Sequence, residues 1–193
     1  MTTPENLPQN KRYLYLFPVL VVAIVLGLVL LDLHKDPFPQ AGHQVGKPAP
    51  PFNLPLVMPT PSGITQISST DLKGHYTVIN FFASWCKYCR REHETLKELG
   101  ALQEERHFRL WGVNVHDTKE AVTKWFDEVG NPYEKLGFDP KAAGAHLWGV
   151  IGTPHLFIVD PHGTIIYQVS GSLTRERLER DVLPLLPPPS HAP

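Results

Sequence analysis

Tyr76-Thr-Val-Ile-Asn-Phe-Phe-Ala-Ser-Trp-Cys86-Lys-Tyr-Cys89-Arg-Arg-Glu-His93 is the stretch on which the reading of this chain turns. Its first half, Tyr76 to Phe82, is an apolar, β-branched and aromatic run, which predicts a strand buried at the centre of a sheet. From Lys87 to about Arg106 the spacing becomes helical, with Leu96, Leu99 and Leu102 as its stripe. Cys86 therefore falls where a strand ends and a helix begins. Free N–H groups and the helix dipole stabilise an anion at that place. The thiolate is the nucleophilic form of cysteine, so the position activates Cys86, and Cys89 one turn later can close a disulfide with it. Lys87, Arg90 and Arg91 add positive charge around the pair. Trp85 shields it and offers a contact surface, and Tyr88 stands between the two cysteines.

Other uses of the pair fit less well. The chain has two cysteines among 193 residues, and both lie in this motif. A disulfide framework needs more pairs at scattered spacings. A ring closed two residues apart removes little chain entropy, so it makes a poor staple. Zinc needs about four ligands at set spacing, and the ten histidines do not supply them. A c-type haem attachment needs His directly after the second cysteine, and Arg90 is there. No metal and no external cofactor is expected, only a dithiol/disulfide.

Outward from the motif, Phe108 to Val115 reads as a second strand and Thr118 to Val129 as a helix, with Ala121, Val122, Trp125 and Phe126 on one side. Leu136 to Phe138 reads as a short strand. His155–Asp160 and Thr164–Val169 form two strands around the turn Pro161-His162-Gly163. Leu173 to about Leu186 reads as a closing helix capped near Thr174. Ahead of the motif, Ile64–Ile67 alternates like a short strand and Thr70–Gly74 like a turn. This order implies a mixed α/β sheet with helices on both faces. Trp111, Trp125 and Phe126 are expected in the core. Asn80 is expected to satisfy hydrogen bonds within its strand, and His93 to lie on the helix surface.

The N-terminal region is of another kind. Tyr13 to Leu31 carries no charge and is close to the ~20 residues that cross a bilayer. Lys11 and Arg12 precede it, which places the N-terminus in the cytoplasm and the rest across the membrane. A cleaved signal peptide has a shorter apolar core and a small-x-small site. Leu31-Asp32-Leu33-His34-Lys35 has no such site. The expected organisation is a cytoplasmic tail at 1–12, a transmembrane signal anchor at 13–31, a linker at 32–44, a folded domain at 45–186 and a disordered tail at 187–193. In a bacterium this is a single-pass inner-membrane protein with a periplasmic domain, a compartment in which disulfides persist. The formal net charge of −1 lacks the basic excess that nucleic-acid binding requires.

Phe81 to His93 resembles the active-site block of periplasmic thioredoxin-like proteins, and Val150-Ile-Gly-Thr-Pro-His-Leu-Phe-Ile-Val-Asp160 with Gly163–Tyr167 resembles their second signature. Trp111-Gly-Val-Asn-Val115 and Gly130-Asn-Pro-Tyr133 narrow the likeness to the cytochrome c maturation oxidoreductases called CcmG or DsbE. The resemblance spans about residues 45 to 186 and the anchor. It implies a thioredoxin-like fold, with Thr153-Pro154 a cis bond packed against the disulfide. It implies an acid at Glu92 that influences the cysteines, where an ordinary helical position would be solvated. It also implies that Asn131, Pro132 and Tyr133 border a specificity groove, although they read equally well as turn and packing residues. Related thioredoxins carry a buried acid at the position of Asn80, which Asn cannot replace as a proton carrier. Two further positions depart from the family: Lys87 replaces Pro, and His155 replaces Glu. The implied reaction is reduction of the haem-binding Cys-x-x-Cys-His disulfide of apocytochrome c, with apocytochrome c or its haem-lyase partner as substrate. A membrane thiol donor of the DsbD or CcdA type would restore the dithiol.

The rivals are a general periplasmic disulfide reductase or oxidase of the TlpA kind, a peroxiredoxin, and a Sco-like copper chaperone. A peroxiredoxin wants Thr where Ala83 stands, and a Sco protein wants three residues between its cysteines.

Overall fold

The computed structural model describes residues 10–33 and 44–189, with side chains at 16–28 and 44–189. The chain forms two compact units, Met1–Pro39 and Gln40–Pro193. The first holds helix α1, Asn10–Leu33. Among the described residues no helix is long and apolar enough to cross a membrane. Residues 16–28 rise only about 20 Å against ~30 Å of hydrocarbon. The expected span also includes 13–15 and 29–31, whose side chains lie outside the described residues. So do the tail at 1–9, most of the linker at 34–43, and 190–193.

The second unit is built on a five-stranded sheet in the order β5-β4-β3-β6-β7. Its strands are β3 (Tyr76–Phe82), β4 (Phe108–Val115), β5 (Lys135–Asp139), β6 (His155–Val159) and β7 (Ile165–Ser170). β3 runs parallel to β4, and β4 to β5, while β6 is antiparallel to both β3 and β7. The apolar run of Tyr76 to Phe82 thus becomes the middle strand, buried beyond Tyr76. A short hairpin of β1 (Asn53–Pro55) and β2 (Gln66–Ser68) precedes the sheet.

The alternation of β3 divides the core. Val78 and Phe82 join Leu96, Leu99, Trp125 and Phe126 in one cluster. Ile79 and Phe81 join Trp111, Trp148 and Phe157 in the other. The first cluster is closed by α2 (Lys87–Ala101) and α3 (Lys119–Val129), and the second includes Ala145 of α4 (Ala143–Leu147) with the flanking Ala142 and Trp148. α4 was not foreseen. Asp139 caps it, accepting the N–H groups of Ala143 and Ala145 at 2.9 Å each.

Two helices differ from their expected extent. α2 ends at Ala101, and the chain turns through to His107, whose φ of 51° is left-handed. The closing helix is three short pieces: α5 (Arg175–Arg177), a π turn at Leu178–Val182 and a 3-10 turn at Leu183–Leu185. Pro184 lacks the N–H that a continuing α-helix needs. Thr174 does cap α5, accepting from Arg177 N–H.

Candidate active site

Cys86 and Cys89 form a disulfide with Cα atoms 5.2 Å apart. Cys86 is the N-cap residue of α2, with extended backbone, and its Sγ receives the Cys89 N–H at 3.2 Å. A thiolate in that place gains the N–H and the positive end of the helix together. Both sulfurs are nearly enclosed. The Thr153 carbonyl oxygen lies 3.5 Å from Cys86 Sγ, and the Thr153–Pro154 bond is cis. The loop is tied to β7 where Gly171 N–H donates to Pro154 O.

Trp85, 64 % exposed, and Tyr88 adjoin the pair as open aromatic side chains. Ile151, 90 % exposed just before Thr153, was not foreseen. Its signal was an apolar residue in a loop that leads to a site proline. Lys87 is exposed at the first helical position. The other two cations are tied to neighbouring groups. Arg90 donates to Ser84 O at 2.7 Å and lies 5.0 Å from the Trp125 ring centre, and Arg91 lies 5.5 Å from that of Tyr88.

Behind the disulfide the buried stripe of α2 runs Cys89, Glu92, His93, Leu96, Leu99. The solvated reading of Glu92 is overturned, since it is only 2 % exposed. One carboxylate oxygen accepts from Asn80 Nδ2 at 3.1 Å and the other from Leu173 N–H at 2.7 Å. Burial outweighs both bonds and raises its pKa to about 7. Asn80 does more than serve its own strand. Its amide also donates to Tyr133 Oη at 2.9 Å, so one side chain joins β3, α2 and the segment before β5. Gly112, paired with Asn80 in the sheet, makes the space. A Cβ there would come within 2.7 Å of the Tyr133 ring. Burial and the Glu92 charge hold the Tyr133 hydroxyl well above its ordinary pKa.

His93 also departs from expectation. It is 3 % exposed, with its ring 4.8 Å from Trp125 and 5.8 Å from Phe126, and burial lowers its pKa. Trp111, Trp125 and Phe126 are core residues as expected. Tyr133 is a packing residue, stacked on Phe82 at 5.2 Å. With Asn131 and Pro132 it also borders an open groove of about 650 Å³ beside Lys97 and Gly100.

His155 is 1 % exposed and sits directly after Pro154. Gln168 accepts Gln44 N–H through Oε1, so its amide nitrogen donates to His155 Nε2 at 2.9 Å. That leaves Nδ1–H to donate to Ser170 Oγ at 3.0 Å. The ring is therefore neutral, and burial lowers its pKa to about 4. Among the described residues no group of three or more His, Cys, Asp or Glu is arranged to hold a metal ion.

Residues 45–168 match the AhpC/TSA family. The thiol:disulfide interchange protein DsbE of Xylella fastidiosa strain 9a5c is 34 % identical over 93 % of this chain and 89 % of its own length. The thiol:disulfide interchange protein HelX of Rhodobacter capsulatus is 35 % identical over 90 % of this chain and 95 % of its own. The crystal structure of a putative DsbE from Chlorobium tepidum superposes with a TM-score of 0.60 at 27 % identity, covering 69 % of this chain and 89 % of that one.

Proposed function

The chain belongs to the AhpC/TSA family and, within it, to the DsbE thiol:disulfide interchange proteins, and from that premise we propose that it is the membrane-anchored reductant of apocytochrome c. It is a thiol–disulfide oxidoreductase with a thioredoxin-like fold. The observation that carries the site assignment is Cys86 at the N-cap of α2, its Sγ facing the Cys89 N–H and the Thr153 carbonyl.

In the proposed reaction the Cys86 thiolate attacks one sulfur of a substrate disulfide. A mixed disulfide forms, the substrate bond breaks, and one substrate sulfur leaves as a thiolate. Cys89 then gives up its proton and attacks Cys86 Sγ, which closes the protein disulfide and releases the second substrate sulfur. Two electrons pass to the substrate. A membrane dithiol donor of the DsbD or CcdA type returns the protein to its reduced form. Glu92, one turn behind Cys89 with a pKa near neutrality, is the group suited to take the Cys89 proton.

The substrate reading is supported by the likeness of Phe81–His93, Trp111–Val115 and Gly130–Tyr133 to the cytochrome c maturation oxidoreductases. Anchoring is supported by the uncharged run Tyr13–Leu31 behind Lys11 and Arg12, and by the exposure of Leu16, Phe17, Val19 and Leu20 on α1. The domain then works in the periplasm. Alkylation trapping in intact cells is the test. The cysteines are expected mostly reduced, and a deletion strain should lack holocytochrome c. A mostly oxidised pair together with normal holocytochrome c in the deletion strain assigns the protein to the oxidase class.

A further inference from the structure

Asp117 closes the turn after β4, half-buried, and its carboxylate takes three hydrogen bonds. Oδ2 accepts from Ser84 N–H at 2.6 Å and from Asn114 Nδ2 at 2.9 Å, and Oδ1 accepts from Thr118 N–H at 2.8 Å. The bond to Ser84 reaches the segment that carries the nucleophile. Ser84 stands two residues before Cys86, and its peptide is held from both sides, by Asp117 at the N–H and by Arg90 at the carbonyl. Cys86 N–H closes the same turn on Ala83 O at 3.1 Å. The neighbouring His116 serves Trp85, whose indole N–H donates to the His116 carbonyl at 2.9 Å. His116 takes a left-handed φ of 49° to do so, a conformation that a residue with a Cβ adopts at some expense.

A carboxylate close to a thiolate opposes its formation by like-charge repulsion. Asp117 holds the backbone of Ser84, two residues before Cys86, so its contribution there is one of geometry. We infer that Asp117 is a positioning residue for thiol–disulfide exchange. It locks the Ser84 peptide so that the first turn of α2 keeps the Cys89 N–H aimed at Cys86 Sγ, and the same turn holds Trp85 outward through His116. The inference rests on Cys86 being the attacking cysteine.

The test uses the full-length reduced protein. The pH dependence of iodoacetamide alkylation is measured, with the modified cysteine located by mass spectrometry, alongside the rate of reaction with glutathione disulfide and the urea midpoint. D117A should raise the alkylation midpoint by about 0.5–1 pH unit, the scale of a helix-terminus contribution, and slow exchange by about fivefold. D117E keeps the charge but misplaces it, and should behave as D117A does. It carries the test if D117A fails to fold. D117N still offers Ser84 an acceptor and loses the repulsion, so its midpoint should stay at or below that of the wild type. T118A weakens the cap of α3, where Thr118 Oγ1 accepts Ala121 N–H, and is the stability control. It should lower the urea midpoint and leave alkylation unchanged. Midpoints that fall together in D117A and D117N would reduce Asp117 to a charge effect and overturn the inference. So would D117 variants that lose stability with unchanged midpoint and rate. First alkylation at Cys89 in the wild type would instead refute the nucleophile assignment.

Discussion

Replacement of Glu92 by Gln should change how stability depends on pH, and the structure sets the size of the change. Burial raises the Glu92 pKa from 4.5 to about 7 in the folded state, while the unfolded chain keeps the ordinary value. Between those values the folded state holds the proton more tightly. Stability from this group is thus fully present below pH 4.5 and lost as pH rises through 7. At ~1.4 kcal/mol per pH unit the window amounts to roughly 3 kcal/mol. Gln has the shape but no charge. It keeps one good acceptor for the donors Asn80 Nδ2 and Leu173 N–H, as the protonated carboxyl does, so the substitution adds only an offset that does not vary with pH. The stability of E92Q minus that of the wild type should therefore climb by roughly 3 kcal/mol from pH 4 to pH 8. Urea unfolding of both oxidised proteins across this range measures it. The difference matters because His93 and His155, with lowered pKa values, tilt the wild-type profile the opposite way in the same window. Parallel profiles for the two proteins would refute the burial argument.

The remaining predictions concern other parts of the molecule. His155 has a folded pKa of about 4 against an ordinary 6.5, so it destabilises progressively as pH falls from 6.5 to 4. H155F keeps the stack on Phe157 and should flatten that acid limb in urea titrations, while leaving Gln168 and Ser170 short of a partner at a cost of ~1–3 kcal/mol at neutral pH. G112A forces a Cβ against the Tyr133 ring and should destabilise by ~1–3 kcal/mol, and in a double-mutant cycle read by urea unfolding its cost should shrink in the Y133A background, where the ring is gone. C89A should accumulate mixed disulfides on non-reducing gels and C86A should not; the reverse pattern would exchange the roles of the cysteines. Alkaline carbonate washing should leave the full-length protein in the membrane, and a shortened soluble form would identify residues 13–31 as a cleaved signal.

Local chemistry was enough for much of the frame. The β-branched and aromatic run of Tyr76–Phe82 read as a strand covered on both faces, and the helical spacing that begins at Lys87 placed the cysteines at a helix start. The Pro161-His162-Gly163 turn fixed the hairpin of β6 and β7 in the same way. The stripe of α2 was also written in the chain. Glu92 and His93 stand three and four residues after Cys89 and ahead of Leu96, on the buried face. Their polarity argued for the surface, and the helical spacing was the better guide. α4 escaped because five residues are too few for a periodicity to show.

The chemistry around the disulfide was decided by distance across the fold. Nothing near Asn80 in sequence says that its amide will meet Glu92, twelve residues on, and Tyr133, far beyond. That meeting requires β3 beside β4, a glycine at 112 and the closing segment at Leu173. The elevated pKa of Glu92 follows from the same enclosure and exists only when all of these are in place. Asp117 is alike: its sequence is that of a helix-leading turn, and only the pairing of β3 with β4 brings it to Ser84. The sequence by itself determined where the cysteine pair sits, because a cysteine at a helix start is a local arrangement. The tertiary structure decided how the pair is held and what charge surrounds it, because burial and hydrogen bonding are set by neighbours that the chain order keeps apart.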